Sequence, residues 1–345
     1  MQWSGPLPRQ QVITLPLAPG VRTRLLAAGY LSVQDLEHVP PQQLAASAGI
    51  LYEEAAEVLV LARARTMQQS AAIPSHTAAE LREAEVAAPR IATMCGALDA
   101  LLGGGVACGH VTEFCGVPGV GKTQLGIQLS VNVQIPAALH GVGGAAVYID
   151  TEGSFMIDRV HDIAQATLQS VADHVACDPT LSPEARAAAE GFSLASVLSR
   201  IHYFRIHSAS EQLALVTLLE PFLAQHPGVR LLVIDSVTFH FRQDLKDLGA
   251  RARVLTGLAQ DLMALAEAHG LAVVLMNQVA TRVQGEGASR LVPALGESWG
   301  QAASTRVILH WQGETRQALM YKSPSLPQGV AQYAIVQGGV RDVAQ

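Results

Sequence analysis

The chain is poor in charge. Asp, Glu, Lys and Arg make up 15% of its 345 residues, against 49% hydrophobic residues. That balance excludes a disordered chain and leaves ample material for a large core. Cysteine is scarce as well. Cys95, Cys108, Cys115 and Cys177 form no C-x-x-C pair and have no histidine at zinc spacing. Buried thiols in a reducing compartment are expected, rather than a disulfide framework. The segment from Met1 to Gln11 lacks a secretory apolar core, and no apolar run approaches membrane-spanning length. Basic residues are in deficit, giving a formal net charge of −6. A protein that holds nucleic acid by bulk electrostatics would be basic, so any such contact must be local or shared with partners. The C-terminus carries no basic cluster from which a nuclear signal could be read.

What is present is a glycine-rich loop. Gly116-Val117-Pro118-Gly119-Val120-Gly121-Lys122-Thr123 matches G-x-x-x-x-G-K-T. Glycines in this pattern let backbone N–H groups converge on phosphate oxygens. Lys122 can reach the β- and γ-phosphates, and the Thr123 hydroxyl can ligate Mg²⁺. An apolar stretch, 111–115, leads in as a strand, and 122–134 leads out with helical apolar spacing. A phosphate would then sit on a helix N-terminus.

The rest of the chain supports that context. Short helices are expected at 15–28, 33–37, 41–48 and 52–65, punctuated by Gly29, Pro40 and Gly49. The unit around Ala48-Gly49-Ile50 reads either as a helix-hairpin-helix that holds a nucleic-acid backbone or as a small protein-docking module. Residues 67–92 read as a linker with one short helix, 77–86. Strands are then expected at 111–115, 145–150, 201–206, 230–235, 271–276, 305–311, 316–322 and 331–337. Helices are expected at 122–134, 154–170, 183–199, 210–225 and 251–269. This alternation implies an α/β domain with a mainly parallel central sheet, its last three strands forming an antiparallel extension.

Three strands end in chemistry-bearing residues. Val147-Tyr148-Ile149-Asp150-Thr151-Glu152-Gly153 ends in two acids, and Glu152 can polarise an attacking water or simply cap the next helix. Leu231-Leu232-Val233-Ile234-Asp235-Ser236 has the pattern of a magnesium-binding strand, with Asp235 as the ligand. Val273-Val274-Leu275-Met276-Asn277-Gln278 ends in amides that either sense a γ-phosphate or satisfy a turn.

Together these motifs resemble the RecA-like recombinases of archaea and eukaryotes. Residues 94–110 resemble the family's lead-in to the loop, and Val133-Gln134-Ile135-Pro136 and 291–300 look most like the "C" subgroup of the eukaryotic strand-exchange recombinase paralogues. The resemblance covers nearly the whole chain. It implies an α/β, RecA-like P-loop ATPase core over 93–345 and a small all-α, helix-hairpin-helix-like domain over 1–66, joined by the linker 67–92. It implies ATP and Mg²⁺ as cofactors. Lys122, Glu152, Asp235 and Gln278 would be catalytic, Thr123 and Asp235 would hold the metal, and residues 116–123 with Gln124 would bind nucleotide. Arg159 falls where the family stacks a side chain on adenine. Tyr321-Lys322-Ser323-Pro324 resembles a cap laid over a neighbour's ATP, with Lys322 either acting in trans or solvated. Two loops, 242–250 and 281–300, would face DNA. The first sets Arg242 and Lys246 against Asp244 and Asp247, the second Arg282 and Arg290 against Glu286 and Glu297. Trp299 would stack a base or pack in the core.

The resemblance has one departure. Filament-forming members carry a Phe-x-x-Ala plug in the linker, and no Phe occurs here before Phe114. Hetero-oligomeric assembly with sister paralogues is therefore expected, in the nucleus and on single-stranded or branched DNA, in support of the recombinase filament. The alternative is a scaffold subunit whose own ATP hydrolysis is dispensable.

Overall fold

The computed structural model describes residues 12, 15, 17–36, 39–70, 77–244, 248–284, 288–293 and 298–343. The chain divides into two compact units, Met1–Val86 and Ala87–Gln345. Among the described residues no helix is long and apolar enough to cross a membrane.

The first unit is helical. It holds α1 (Pro19–Ala27), a 3₁₀ turn (Val33–Leu36), α2 (Pro41–Ala48), α3 (Tyr52–Ser70) and α4 (Ala78–Ala87). Pro19 and Pro41 start their helices, where a missing N–H costs nothing, and Gly49 ends α2 in the left-handed region. Leu25, Leu36, Leu44, Ala55 and Val58 form its small core. The hairpin at Gly49 has its polar groups in use: Arg24 Nη1 donates to Gly49 O, and Leu51 N donates to Glu54 Oε2. The segment expected as a linker over 67–92 contains the end of α3, all of α4, and a strand.

That strand, β1 (Arg90–Ile91), belongs to the second unit. It pairs antiparallel with β2 (Val106–Ala107) around α5 (Gly96–Leu101). Then come β3 (Val111–Gly116), α6 (Lys122–Asn132), β4 (Ala145–Asp150), α7 (Ile157–Cys177), α8 (Pro183–Gly191), α9 (Leu194–Ser199), β5 (Ile201–Arg205) and α10 (Ala209–Gln225). After these follow β6 (Val229–Asp235), α11 (Phe239–Asp244), α12 (Leu248–His269), β7 (Ala272–Asn277), β8 (Val279–Gln284) and β9 (Ala288–Pro293). Four strands close the chain: β10 (Thr305–Gln312), β11 (Thr315–Lys322), β12 (Val330–Val336) and β13 (Gly339–Arg341).

Nine strands form one sheet in the order β13-β12-β11-β10-β3-β7-β6-β4-β5. The β3, β7, β6, β4 and β5 strands run parallel, as the helical crossovers require. The expected antiparallel extension needs correction. Its first member, β10, pairs parallel with β3, and only its other edge starts an antiparallel meander through β11, β12 and β13. Side chains alternate between two cores. Phe114, Tyr148, Val233 and Met276 face α6 and α7, while Val147, Ile149, Leu232, Ile234 and Leu275 face α10 and α12. The single helix expected over 183–199 is two, because Ser193 and Ser196 form a capping box that starts α9. Three thiols are buried as expected. Cys177, at the end of α7, is exposed.

Candidate functional site

The parallel strands bring their C-terminal ends to one edge of the sheet, where such folds place ligands. Gly116 through Thr123 lie at the tip of β3. Gly119 and Gly121 have φ of +77° and +111°, so the loop needs residues without a side chain. A Cβ on Gly116 would sit 2.7 Å from Val120 Cγ1 and 2.8 Å from Leu309 O. Gly121 is the N-cap of α6, and no side chain caps that helix start. The first N–H groups of α6 therefore present partial positive charge to an anion. Val117, Pro118 and Val120 shape the bend, and Tyr333 Oη donates to Val120 O at 3.0 Å. This is a cradle that a polyphosphate fits.

Lys122 Nζ donates to Gly116 O and Val117 O at 2.9 and 3.0 Å, so the ammonium is folded over the loop. Burial lowers its pKa, against Asp235 and Glu152, which raise it. Thr123 Oγ1 donates to Asp235 Oδ2 at 2.5 Å and lies 3.3 Å from Ser154 Oγ. Tyr148 Oη donates to the same carboxylate oxygen at 2.9 Å. Burial raises the pKa of Asp235, although both hydroxyl donors oppose the shift. Hard oxygen donors are what Mg²⁺ takes, and it commonly uses one or two protein groups with substrate phosphates completing the shell. Thr123 and Asp235 fit that requirement.

Glu152 lies at the tip of β4, next to β6 in the sheet. Ser236 Oγ donates to Glu152 Oε1 at 2.7 Å, and Gln278 Nε2 approaches the same oxygen at 3.4 Å. Asp150 organises this turn. Its carboxylate accepts backbone N–H bonds from Glu152, Gly153, Ser154 and Phe155. Tyr203 and Arg205 hold it from β5. Asp150 thus holds the turn that leads to α7, whose start no side chain caps, and Glu152 is left exposed and free of a capping role. At the tip of β7, Gln278 Oε1 accepts from Arg242 Nη1 at 2.9 Å. Lys122, Thr123, Glu152, Asp235 and Gln278 are brought together by four neighbouring strand ends.

Arg159 stands on α7. Its Nε and Nη2 donate to Gln124 Oε1, its Nη1 to Gln337 O and Asp162 Oδ2, and its Nη2 to Val336 O. These bonds engage all three guanidinium nitrogens and fix the side chain beside the start of α6.

The structure bears on the alternatives given for Lys322 and for Trp299. Lys322 is neither a solvated charge nor extended outward: its Nζ donates to Gly300 O and Ala303 O, both at 2.9 Å. Burial, and then Arg306, lower its pKa. Trp299 is buried, and its Nε1 donates to Glu113 Oε1 at 2.8 Å, so it belongs to the core and cannot stack a base. Of the two loops expected to face DNA, Arg242–Asp244 is helical, and the second is the β8–β9 hairpin, with Arg282 and Arg290 as register partners. Lys246, Asp247, Glu286 and Glu297 fall outside the described residues.

Sequence reasoning missed Tyr148, Ser154 and Ser236, and it placed Arg242 toward DNA without its bond to Gln278. Ser154 and Ser236 had no local signal beyond their closeness to a strand tip, and Tyr148 reads as an ordinary core aromatic.

Comparison with known proteins decides the family. The Rad51 family model matches residues 82–177 and 171–343. The chain belongs to the Rad51 family. It is similar to DNA repair protein RAD51 homolog 3 of Cricetulus griseus, with 46% identity over 343 residues, covering 97% of this chain and 93% of that protein. The protein of the same name from Dictyostelium discoideum is 41% identical over 254 residues, covering 73% of this chain and 65% of the relative. DNA repair and recombination protein RadA of Metallosphaera sedula is 32% identical over 329 residues, covering 94% and 93%. The Rad51-family, RecA-like α/β fold thus agrees with the strand order, and the resemblance to the "C" subgroup agrees with the first two relatives.

Proposed function

We propose that this Rad51-family chain is an ATP-binding, DNA-dependent ATPase subunit of a heteromeric recombinase-paralogue complex. It acts in homologous recombination repair, in the nucleus, by helping to load or stabilise the recombinase on single-stranded DNA. The observation that carries this reading is the meeting of Thr123 Oγ1 and Asp235 Oδ2 at 2.5 Å beneath a glycine loop, with Glu152 on the adjacent strand tip. The names of its relatives, DNA repair proteins, supply the process.

In this reading residues 116–124 hold the triphosphate of ATP, Arg159 lies against the adenine, and Thr123 with Asp235 holds Mg²⁺. Mg²⁺ bound there would draw negative charge from the phosphates. Lys122 swings from the loop carbonyls to the phosphates, a short move because both acceptors are on the loop. Glu152 orients a water and takes its proton, and Ser236 keeps the carboxylate aimed. Gln278 lies between Glu152 and the β8–β9 hairpin and reports nucleotide state to DNA. Intrinsic DNA affinity is weak, because a chain of net charge −6 releases few counterions on its own. Partner subunits therefore supply much of the DNA contact.

The test uses the assembled complex. Glu152→Gln should bind ATP normally and lower turnover by about 10²- to 10⁴-fold, the range for a general base. Lys122→Ala should abolish binding. Turnover that survives both changes would sink the reading.

A further inference from the structure

Glu113 lies in the middle of β3, three residues before Gly116, and is fully buried. A carboxylate there must be matched by donors. It has three. Asn277 Nδ2 donates to Oε1 at 2.6 Å and Trp299 Nε1 donates to Oε1 at 2.8 Å. The Arg306 Nε donates to Oε2.

Two of these donors flank one segment. Asn277 precedes Gln278 and the entry to β8, and its Oδ1 accepts from Gln278 N at 2.7 Å. Trp299 lies in the short 3₁₀ turn Ser298–Gln301 beyond β9. That turn is held further, since Arg306 Nη2 donates to Trp299 O and Lys322 Nζ donates to Gly300 O and Ala303 O. Among the described residues the hairpin strands pair with each other as a two-stranded sheet, and Asn277 and Trp299 tie the two ends of the segment to one carboxylate.

The same entry end touches the nucleotide site. Gln278 reaches Glu152 and Arg242, and Glu152 is held by Ser236 beside Asp235. A continuous run of hydrogen bonds thus leads from the candidate γ-phosphate position through Gln278 and Asn277 to Glu113. From there it crosses to Trp299 at the far end of the segment.

We propose that Glu113 is a positioning residue that clamps both ends of the 278–299 segment and makes the hairpin respond to nucleotide as one body. The idea rests on nucleotide binding at the site described above. The coupling is read as nucleotide-dependent protection of the hairpin.

The experiment uses the full chain with Mg²⁺ and a non-hydrolysable ATP analogue. Analogue affinity is measured by titration, and amide exchange is followed over 279–293. In the wild type the analogue should slow exchange there by about tenfold. Glu113→Gln should bind the analogue within about threefold of wild type and lose most of that nucleotide-dependent protection. Trp299→Phe, which fills most of the same volume and deletes one donor, should lose it too, and it serves if Glu113→Gln does not fold. Full protection in a folded variant overturns the proposal. So does a wild type that binds the analogue without any protection of 279–293. A wild type that does not bind the analogue overturns the nucleotide reading itself, and this proposal with it.

Discussion

Gly121→Ala tests whether the C-terminal strands brace the phosphate loop. Two costs can be worked from the geometry. The φ of Gly121 is +111°, which an alanine tolerates at about 1–2 kcal/mol of strain. The new Cβ would also lie 2.1 Å from Ile335 Cδ1 on β12, with the next contacts at 3.4 Å (Ile335 Cγ1) and 4.0 Å (Tyr333 Cε2). Ile335 is only half-buried, so it can rotate away, which limits the overpacking cost to about 1–2 kcal/mol. The sum is about 2–4 kcal/mol. Gly119→Ala supplies the control. Its φ is +77° and its Cβ meets nothing within 4 Å, so it should cost only the strain, about 1–2 kcal/mol. Ile335→Val deletes the clashing methyl and leaves the next contact at an ordinary distance. Gly121→Ala placed on that background should then cost about as much as Gly119→Ala. The double-mutant cycle should return a coupling of about 1–2 kcal/mol. Equilibrium urea unfolding of the nucleotide-free chain measures all four values. Equal costs for the two glycine changes, or a coupling below about 0.5 kcal/mol, would refute the bracing.

Three further outcomes follow from the same structure. Arg306→Met strands the buried Glu113 carboxylate and should cost about 3–5 kcal/mol in urea unfolding, whereas an exposed ion pair would cost under about 1 kcal/mol. Asp235→Asn should gain stability over wild type as pH rises. Burial raises the folded carboxyl above its ordinary value of 3.8, so the folded chain holds that proton more tightly than the unfolded chain, and wild-type stability falls as pH climbs from 3.8 through the folded pKa. Melting temperatures of both proteins across that window, without nucleotide, check the sign; the same variant should lose Mg²⁺-dependent nucleotide affinity. Lys322→Met removes two charged hydrogen bonds and should cost about 1.5–3 kcal/mol, while nucleotide affinity of the folded chain stays at the wild-type level. A turnover defect in the assembled complex without that loss of stability would restore a trans role for this lysine.

The strand tips were legible because each apolar run stops at a residue that cannot be buried unpaired. Asp150, Asp235 and Asn277 end β4, β6 and β7, and the structure keeps those ends to within a residue or two. Short elements were not legible. The strands β1 and β2 have two residues each, too few to show a period. The β8–β9 hairpin escaped for another reason. Val279-Ala280-Thr281-Arg282-Val283-Gln284 lacks the continuous apolar run of the sheet strands, and among the described residues its sheet holds just β8 and β9. Lys322 escaped because its acceptors are backbone carbonyls, which no side-chain pattern reveals.

Glu113 shows where the boundary of inference falls. It interrupts an otherwise apolar strand, Val111-Thr112-Glu113-Phe114-Cys115, and that interruption was visible. A buried carboxylate requires donors, so partners could have been demanded from the strand alone. Which partners could not. They stand 164, 186 and 193 positions away: Asn277 and Arg306 reach Glu113 because β7 and β10 flank β3 in the sheet, and Trp299 reaches it from the 3₁₀ turn that leads into β10. Strand order carries that information, and no motif in the chain encodes it. The phosphate loop could be read from consecutive residues, while the network that holds its supporting strand to the hairpin could be read only once the order β10-β3-β7 was known.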